Sequence, residues 1–179
     1  MPHISPLALE AIHDEELRAL IERAQALGVP DAVFCGIVAR VPHYAKALLR
    51  AMLISHTEGN VDHRLKEIIR VQLARTARDP YFSHLRSARA IEQGLSEDLI
   101  DAGSGDYEND ARFSAAQKCA LRFAERMYLV PDQVDAAFYA ELKSHYSEAQ
   151  IMELGAFIAF HYGMQAFMRT LGTAPAAHQ

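Results

Sequence analysis

Apolar residues recur along the chain at three- and four-residue spacings, the period of helices with one buried face. Between His13 and Ala26 they fall at Leu17, Leu20, Ile21 and Ala24, with Leu27 just beyond. Gly28 and Pro30 end the run. A short helix covers Asp31 to Arg40. Pro42 suits the first turn of the next, which runs to about His56 with Tyr44, Leu48, Ala51 and Met52 inward. After the turn Thr57-Glu58-Gly59-Asn60, Asp62 caps a helix from His63 to about Arg78, with Leu65, Ile68, Ile69, Gln72 and Leu73 on one side. Asp79-Pro80 starts another that continues to Gly94, and Ser96-Glu97-Asp98 opens a short one. Ser114 with Gln117 and Ser147 with Gln150 have the spacing of capping boxes. Between the helices they open lie Pro131-Asp132 and a helix from Val134 to Ser144. The last helix runs to about Leu171, where Gly172 stops it. No two-residue alternation competes with this reading. The pattern predicts an all-α, single-domain helical bundle over residues 13–172, with an N-terminal extension at 1–12 and a tail at 173–179.

A chain of 179 residues is long enough to bury a core without metal or disulfide staples. Its net charge of -5 comes from 18 basic and 23 acidic residues with no basic tract, so neither nucleic acid nor an anionic membrane is an expected partner. Cys35 and Cys119 form no CxxC and no metal knuckle, which fits a reducing, cytoplasmic setting. The first residues lack the basic start and long apolar run of a signal peptide. The most apolar stretch, Ile151 to Met168, carries Glu153, His161 and Gln165 and reads as a buried helix rather than a membrane span. From Ile151 to Phe167 it is apolar nearly all round. A small subunit covers only part of such a surface, so a homo-oligomer is expected. Without a glycine-rich strand–turn–helix unit or an HExxH spacing, no cofactor and no metal are expected.

One ordered set of segments carries a family likeness. Arg64-Leu65-Lys66-Glu67-Ile68-Ile69-Arg70-Val71-Gln72-Leu73-Ala74-Arg75 leads into Asp79-Pro80-Tyr81-Phe82, then Gly94-Leu95-Ser96. Leu121-Arg122-Phe123-Ala124, Tyr146-Ser147-Glu148-Ala149-Gln150-Ile151, Ala159-Phe160-His161-Tyr162 and Leu171-Gly172 follow. From about Leu48 to Gly172 the chain resembles the carboxymuconolactone decarboxylase and alkylhydroperoxidase D superfamily. The resemblance implies a helical bundle of the alkylhydroperoxidase D-like type whose subunits associate as a dimer, trimer or hexamer. The peroxidase branch carries a CxxC pair followed by a histidine, with an upstream glutamate in a proton relay. Glu67 matches that glutamate. Asp79 and Phe82 stand where the cysteines would be, and Arg86 where the histidine would be. The decarboxylase branch lacks the cysteines and places histidines after an aromatic segment and in the last helix. This chain offers Tyr81 and His84 in the first region and His161 beside Tyr162 in the second. His84 falls slightly early and His161 one residue early, a rotation of about 100° on a helix.

Glu67 in its apolar stretch is either a proton carrier with a raised pKa or a carboxylate paired with Arg64, Lys66 or Arg70. Tyr81 and His84 share a helix face, suited to a base and a charge-stabilising phenol. His161 interrupts an apolar run and needs a polar partner. Glu67, His84, His161 and Tyr81 are therefore the candidate catalytic set, with Glu67 and at least one of the two histidines in hydrogen-bond reach. Arg86, Tyr162, Phe82 and His56 are candidate substrate contacts. His63 and His43 read as ordinary helix-end residues, and both cysteines as core filler. The expected activity is cofactor-free acid–base chemistry, of lyase, decarboxylase or isomerase type, on a small organic acid, lactone or carbonyl compound. The rival is a degenerate member that only binds a ligand or structures a complex.

A peroxidatic cysteine attacks as a thiolate and needs a resolving thiol beside it, and neither Asp79 nor Phe82 supplies one. Negligible thiol-dependent peroxidase activity is expected. Stopped-flow consumption of a hydroperoxide measures it, and rapid turnover abolished by substituting Cys35 and Cys119 together would contradict it.

Overall fold

Short polar side chains set most of the helix starts. In the computed structural model, which describes residues 2–173, the helices are α1 (Glu15–Ala26), α2 (Ala32–Val38), α3 (Pro42–Thr57), α4 (His63–Thr76), α5 (Pro80–His84), α6 (Ala88–Glu92), α7 (Glu97–Gly103), α8 (Ala115–Leu129), α9 (Ala136–His145) and α10 (Glu148–Thr170). Asp14, Asp31, Asp62 and Asp79 each accept from a backbone N–H of the first turn that follows. Both capping boxes form, Ser114 with Gln117 and Ser147 with Gln150. Each such cap stabilises its helix by about 1 kcal/mol. Gly28 takes φ +75°, and a Cβ there would lie 2.7 Å from the Arg86 carbonyl oxygen, so both backbone conformation and space call for glycine.

The tertiary arrangement is an all-helical bundle around α4, which packs against α5, α7, α8 and α10. One apolar cluster joins α4 to α7, α8, α9 and the first half of α10. A second joins α1, α2, α3 and α5 to Met168 and Leu171 at the chain's far end. Lying between them, α4 is buried nearly all round, charged residues included, rather than on one side as its pattern suggests. Residues 2–12 run against the bundle. His3 N–H donates to the Leu171 carbonyl at 2.7 Å, Leu7 N–H to that of Gly36 at 2.9 Å, and Ile12 is buried. Ala174–Gln179, most of the expected tail, lie outside the described residues.

Three expectations need correction. On α3 the buried face is Ala45, Leu48, Leu49, Met52, Leu53 and His56, while Tyr44 is 60% exposed and Ala51 also faces outward. Packing on α1 selects the face one residue round from the expected stripe. The helix expected from Pro80 to Gly94 breaks at Leu85, whose ψ of 145° is extended. The Phe82 and Leu85 carbonyls and the Ser87 N–H are taken by a buried ion pair on α4. Ser87 then caps α6 as a separate helix. The helix expected at Val134 begins two residues later, after a 3-10 turn at Pro131–Gln133, because Asp135 caps it. Among the described residues, no helix is long and apolar enough to cross a membrane.

Candidate functional site

The α4 register puts Glu67 and Arg70 one turn apart with both side chains in the interior, 1% and 0% exposed. Arg70 donates from Nε to Glu67 Oε2 at 2.8 Å and from Nη2 to Oε1 at 2.7 Å. Two more of its hydrogens go to the carbonyls of Phe82, at 2.8 Å, and Leu85, at 2.6 Å. The Ser87 N–H donates to Glu67 Oε1 at 2.8 Å. Burial alone would raise the Glu67 pKa, and it is the largest single influence. Arg70's charge and hydrogen bonds, with the Ser87 N–H, together outweigh it and hold the carboxyl below its ordinary range. The expectation of a raised pKa therefore gives way to the ion-pair alternative, with Arg70 as the partner. Removing either partner alone would leave a buried, uncompensated charge, at a cost of about 3–5 kcal/mol.

Beside this pair, three imidazoles gather from separate elements. His56 ends α3, His63 begins α4 and His161 sits mid-way along α10. A second, half-buried ion pair draws these elements together. Lys66 Nζ donates to Glu153 at 2.7 Å and to the Ser55 carbonyl at 2.5 Å, and Glu153 also accepts the Asn60 N–H at 2.7 Å. The α3–α4 turn is thereby tied to α10. A Cβ at Gly59 would overlap the ends of the Lys66 and Glu153 side chains, so any larger residue in the turn would displace that pair. The His56 and His63 ring centroids are 4.9 Å apart, and those of His56 and His161 are 6.3 Å apart. His161 packs on Phe157 at 4.2 Å and edge-on to Phe160 at 5.4 Å.

Hydrogen bonding in this cluster is incomplete. His63 Nε2 and Ser87 Oγ are bonded at 2.8 Å. Both ring nitrogens of His56, and Nδ1 of His63, are buried without a partner among the described residues. Burial, reinforced by neighbouring imidazoles and cations, pushes the His56 pKa down to about 3. Burial does the same to His63, down to about 4, and holds His161 well below the ordinary histidine value. All three are neutral at pH 7, each with one acceptor and one donor nitrogen.

Two cavities adjoin the cluster. Between α3 and α10 lies an apolar one of about 570 Å³, walled by Met52, Ile54, Phe157 and Phe160, with His161 in its lining and Glu58 and Glu153 at its polar side. A polar cleft of about 270 Å³, lined by His56, His63, Lys66 and Arg89, lies against the α3–α4 turn. The two share Gly59 and Asn60. Among the described residues, no group of three His, Cys, Asp or Glu side chains is placed to hold a metal ion.

The other sequence candidates lie elsewhere. The Tyr81 phenol donates to Asp31 inside the second apolar cluster, and burial with that carboxylate pushes its pKa up. Phe82 is core, touching the site only through its carbonyl to Arg70. His84 is exposed at the end of α5. Arg86 pairs with Glu97 at 2.7 and 2.9 Å. Tyr162 is exposed against Tyr128, ring centroids 4.3 Å apart. Thus His56 and His161 come together, with Glu67 near enough to His56 for each to affect the other's ionisation. No hydrogen bond joins Glu67 to His84 or His161 among the described residues; its partners are Arg70 and the Ser87 N–H. His63, Lys66, Arg70 and Glu153 complete the arrangement without having stood out as site residues. Their signal was Lys66, Glu67 and Arg70 set among Leu65, Ile68, Ile69 and Val71, and a glutamate in the most apolar helix.

Cys35 and Cys119 are both buried and free, and burial raises their thiols to about 12 and about 11. Neither matches the reactive type.

No family model matches the chain, and no curated protein does. Solved structures do. A cysteine-to-alanine variant of the debrominase Bmp8, in complex with 2,3,4-tribromopyrrole, superposes with a TM-score of 0.77 at 20% identity, over 97% of this chain and 91% of that one. An uncharacterised peroxidase-related protein from Ralstonia eutropha JMP134, described as an alkylhydroperoxidase AhpD core, gives 0.77 at 18% identity, over 97% and 93%. A peroxidase-related protein from Silicibacter sp. TM1040 gives the same values. With near-complete overlap in both directions, and with only two cysteines set far apart in sequence, the chain has the alkylhydroperoxidase D/carboxymuconolactone decarboxylase-like fold without a CxxC pair.

Proposed function

We propose that this protein is a cofactor-free acid–base enzyme, of lyase, decarboxylase or isomerase type, acting on a small organic acid, lactone or carbonyl compound in the cavity between α3 and α10. One observation carries the reading: His161, 3% exposed and without a hydrogen bond among the described residues, lines an apolar cavity of about 570 Å³. Pockets of this size and character are the usual sites of small-molecule binding. A neutral imidazole there offers a lone pair to a substrate proton, and the imidazolium so formed, disfavoured by burial, returns it readily. His161 is the base in this reading. Glu67 is a positioning residue, since its carboxylate holds Ser87, whose hydroxyl holds His63. The tribromopyrrole complex of Bmp8 supports a small ring as the kind of ligand this fold can hold. Two free, buried thiols fit a reducing, cytoplasmic setting.

The non-catalytic reading is favoured by one feature. Glu67, which matches the relay glutamate of the resembling family, is locked to Arg70 and lines neither cavity. Turnover separates the two readings. Purified protein incubated with a panel of lactones, keto acids and phenols, followed by mass change, should convert at least one compound. His161→Gln should lower kcat by about 10²–10⁴-fold, the usual range for a general base, with an unchanged circular dichroism spectrum. Conversion at the parent rate by the variant would remove His161 from the chemistry.

The buried neutral imidazoles also make a stability prediction. An unfolded histidine titrates near 6.5, whereas folded His56 and His63 titrate near 3 and 4. Between about pH 6.5 and 4 the unfolded chain takes up protons that the folded chain refuses, so stability falls as pH falls. The slope approaches about 1.4 kcal/mol per pH unit for each histidine. Urea denaturation at pH 7.5, 6.5 and 5.5 should show this decline, and His161→Leu should flatten it by about one proton's worth. A stability independent of pH across that range would mean the imidazoles are not buried neutral.

A homo-oligomer is part of the same proposal. Met152, Tyr162 and Phe167 are 71, 43 and 48% exposed along one side of α10, and Ala156, Ala159 and Gly163 continue the stripe. A further apolar groove of about 610 Å³ flanks it against α8 and α9. Sedimentation velocity at tens of micromolar should give a dimer or larger species, reduced to monomer by Phe167→Glu with Met152→Glu. A 20 kDa species in the parent protein would refute it.

A further inference from the structure

The polar cleft at the α3–α4 turn has features that the apolar cavity lacks. Its lining holds three charged residues besides its histidines, and two of these are already neutralised. Lys66 is paired with Glu153, 2.7 Å away, and Asp62 is held by Arg64 at 3.2 Å. Arg89 is the third. It is half-buried, makes one hydrogen bond of 3.3 Å to the Thr57 carbonyl, and has no carboxylate partner among the described residues. The cleft therefore carries one unmatched positive charge. His56 and His63 also line it, 2% and 7% exposed, with three ring nitrogens between them that lack partners. Buried polar groups left without partners in a polar, roomy site call for a ligand or water to satisfy them. The amides of Asn60 and Gln93 complete the lining.

We propose that this cleft binds a small monoanionic carboxylate, with the Arg89 guanidinium as its ion-pair partner and ring N–H groups of His56 and His63 as further donors. A guanidinium presents a planar fork that matches a carboxylate's two oxygens. Neutral imidazoles add donors without adding charge, so a single negative charge is balanced and a phosphate dianion is not. The apolar cavity is complementary in this respect. Its lining contains Glu58 and Glu153 and no arginine or lysine, so it suits the uncharged part of a molecule. Gly59 and Asn60 border both spaces, which places a carboxylate in the cleft within a short span of an apolar body near His161. Among acids, lactones and carbonyl compounds, this favours an organic acid as substrate. The proposal rests on the acid–base reading only in that last step, because the carboxylate site is tested by binding, without turnover.

The test uses the full-length protein with ¹⁵N-labelled histidine, titrated with sodium acetate at pH 7.5 and constant ionic strength. The ring resonances of His56 and His63 should shift along a saturable curve. Acetamide, of the same shape without the charge, should give no saturable shift, and inorganic phosphate should bind more weakly than acetate. Arg89→Met should weaken acetate by about tenfold or more, the equivalent of one lost charge-assisted contact. Arg89→Lys, which keeps the charge, should recover most of the loss. Arg89 is half-buried on the short helix α6, and the circular dichroism spectra of both variants report whether the fold is kept. A linear, unsaturable acetate response, equal shifts with acetamide, tighter binding of phosphate, or parent-like affinity in Arg89→Met would each overturn the assignment. Acetate binding in a protein that converts no substrate would leave the carboxylate site standing and remove only the catalytic reading.

Discussion

A guanidinium with no water around it must place its hydrogens on protein oxygens, and Arg70 does so on Glu67 and on the carbonyls of Phe82 and Leu85. Much of the bundle follows from this requirement. Taking those carbonyls stops α5 after His84 and turns the chain at Leu85. Glu67, drawn to Arg70, receives the Ser87 N–H and so starts α6 where it does. The segment from Asp79 to Ser87, which holds no cysteine, is thus anchored by an ion pair. Replacing such a pair by well-packed apolar residues can be neutral for stability, whereas breaking it by half is severe. Its contribution here is to specify where each neighbouring backbone segment must lie.

The Lys66–Glu153 pair has the same logic at the opposite side of the helix start. It ties the α3–α4 turn to α10 through the Asn60 N–H and the Ser55 carbonyl. With the first half of α4 held on two sides, His63 and His161 both come up against His56 although the three rings come from three helices. Neighbouring cations, Arg70 and Lys66 among them, reinforce the burial that keeps these rings neutral. The surroundings thus hold acceptor and donor nitrogens buried between an apolar cavity and a polar cleft.

The length and composition of α10 give it two roles. One side reaches Arg70 through Gln165, whose side-chain N–H donates to the Arg70 carbonyl at 3.1 Å, and carries His161. Its other side leaves Met152 and Phe167 open. An apolar helix in a small domain cannot hide every face within one subunit, and this one divides its surface between the site and the exterior.

Local sequence by itself determined most of the helix starts and stops. Caps at Asp14, Asp31, Asp62 and Asp79, the two capping boxes, and glycine stops at Gly28 and Gly172 act within a turn of where they stand, so their effect is readable from spacing. The all-α class and the fold type follow from them and from the ordered segments of the family likeness. Tertiary structure decided which carboxylate pairs with which cation, and therefore the site. Glu67 had Arg64, Lys66 and Arg70 all within one turn, and only burial of the 67–70 side against α5 and Ser87 selected Arg70. His63 looked like any helix-end imidazole until Glu153, ninety residues further along the chain, drew the turn against α10. Conversely Tyr81 and His84, three apart on α5, ended in different surroundings, the Tyr81 phenol on Asp31 in the core and His84 on the exposed side. Caps and stops are contacts along the chain, whereas a buried charge takes its partner from whatever the packed fold brings within hydrogen-bond reach, and spacing along a sequence does not encode that choice.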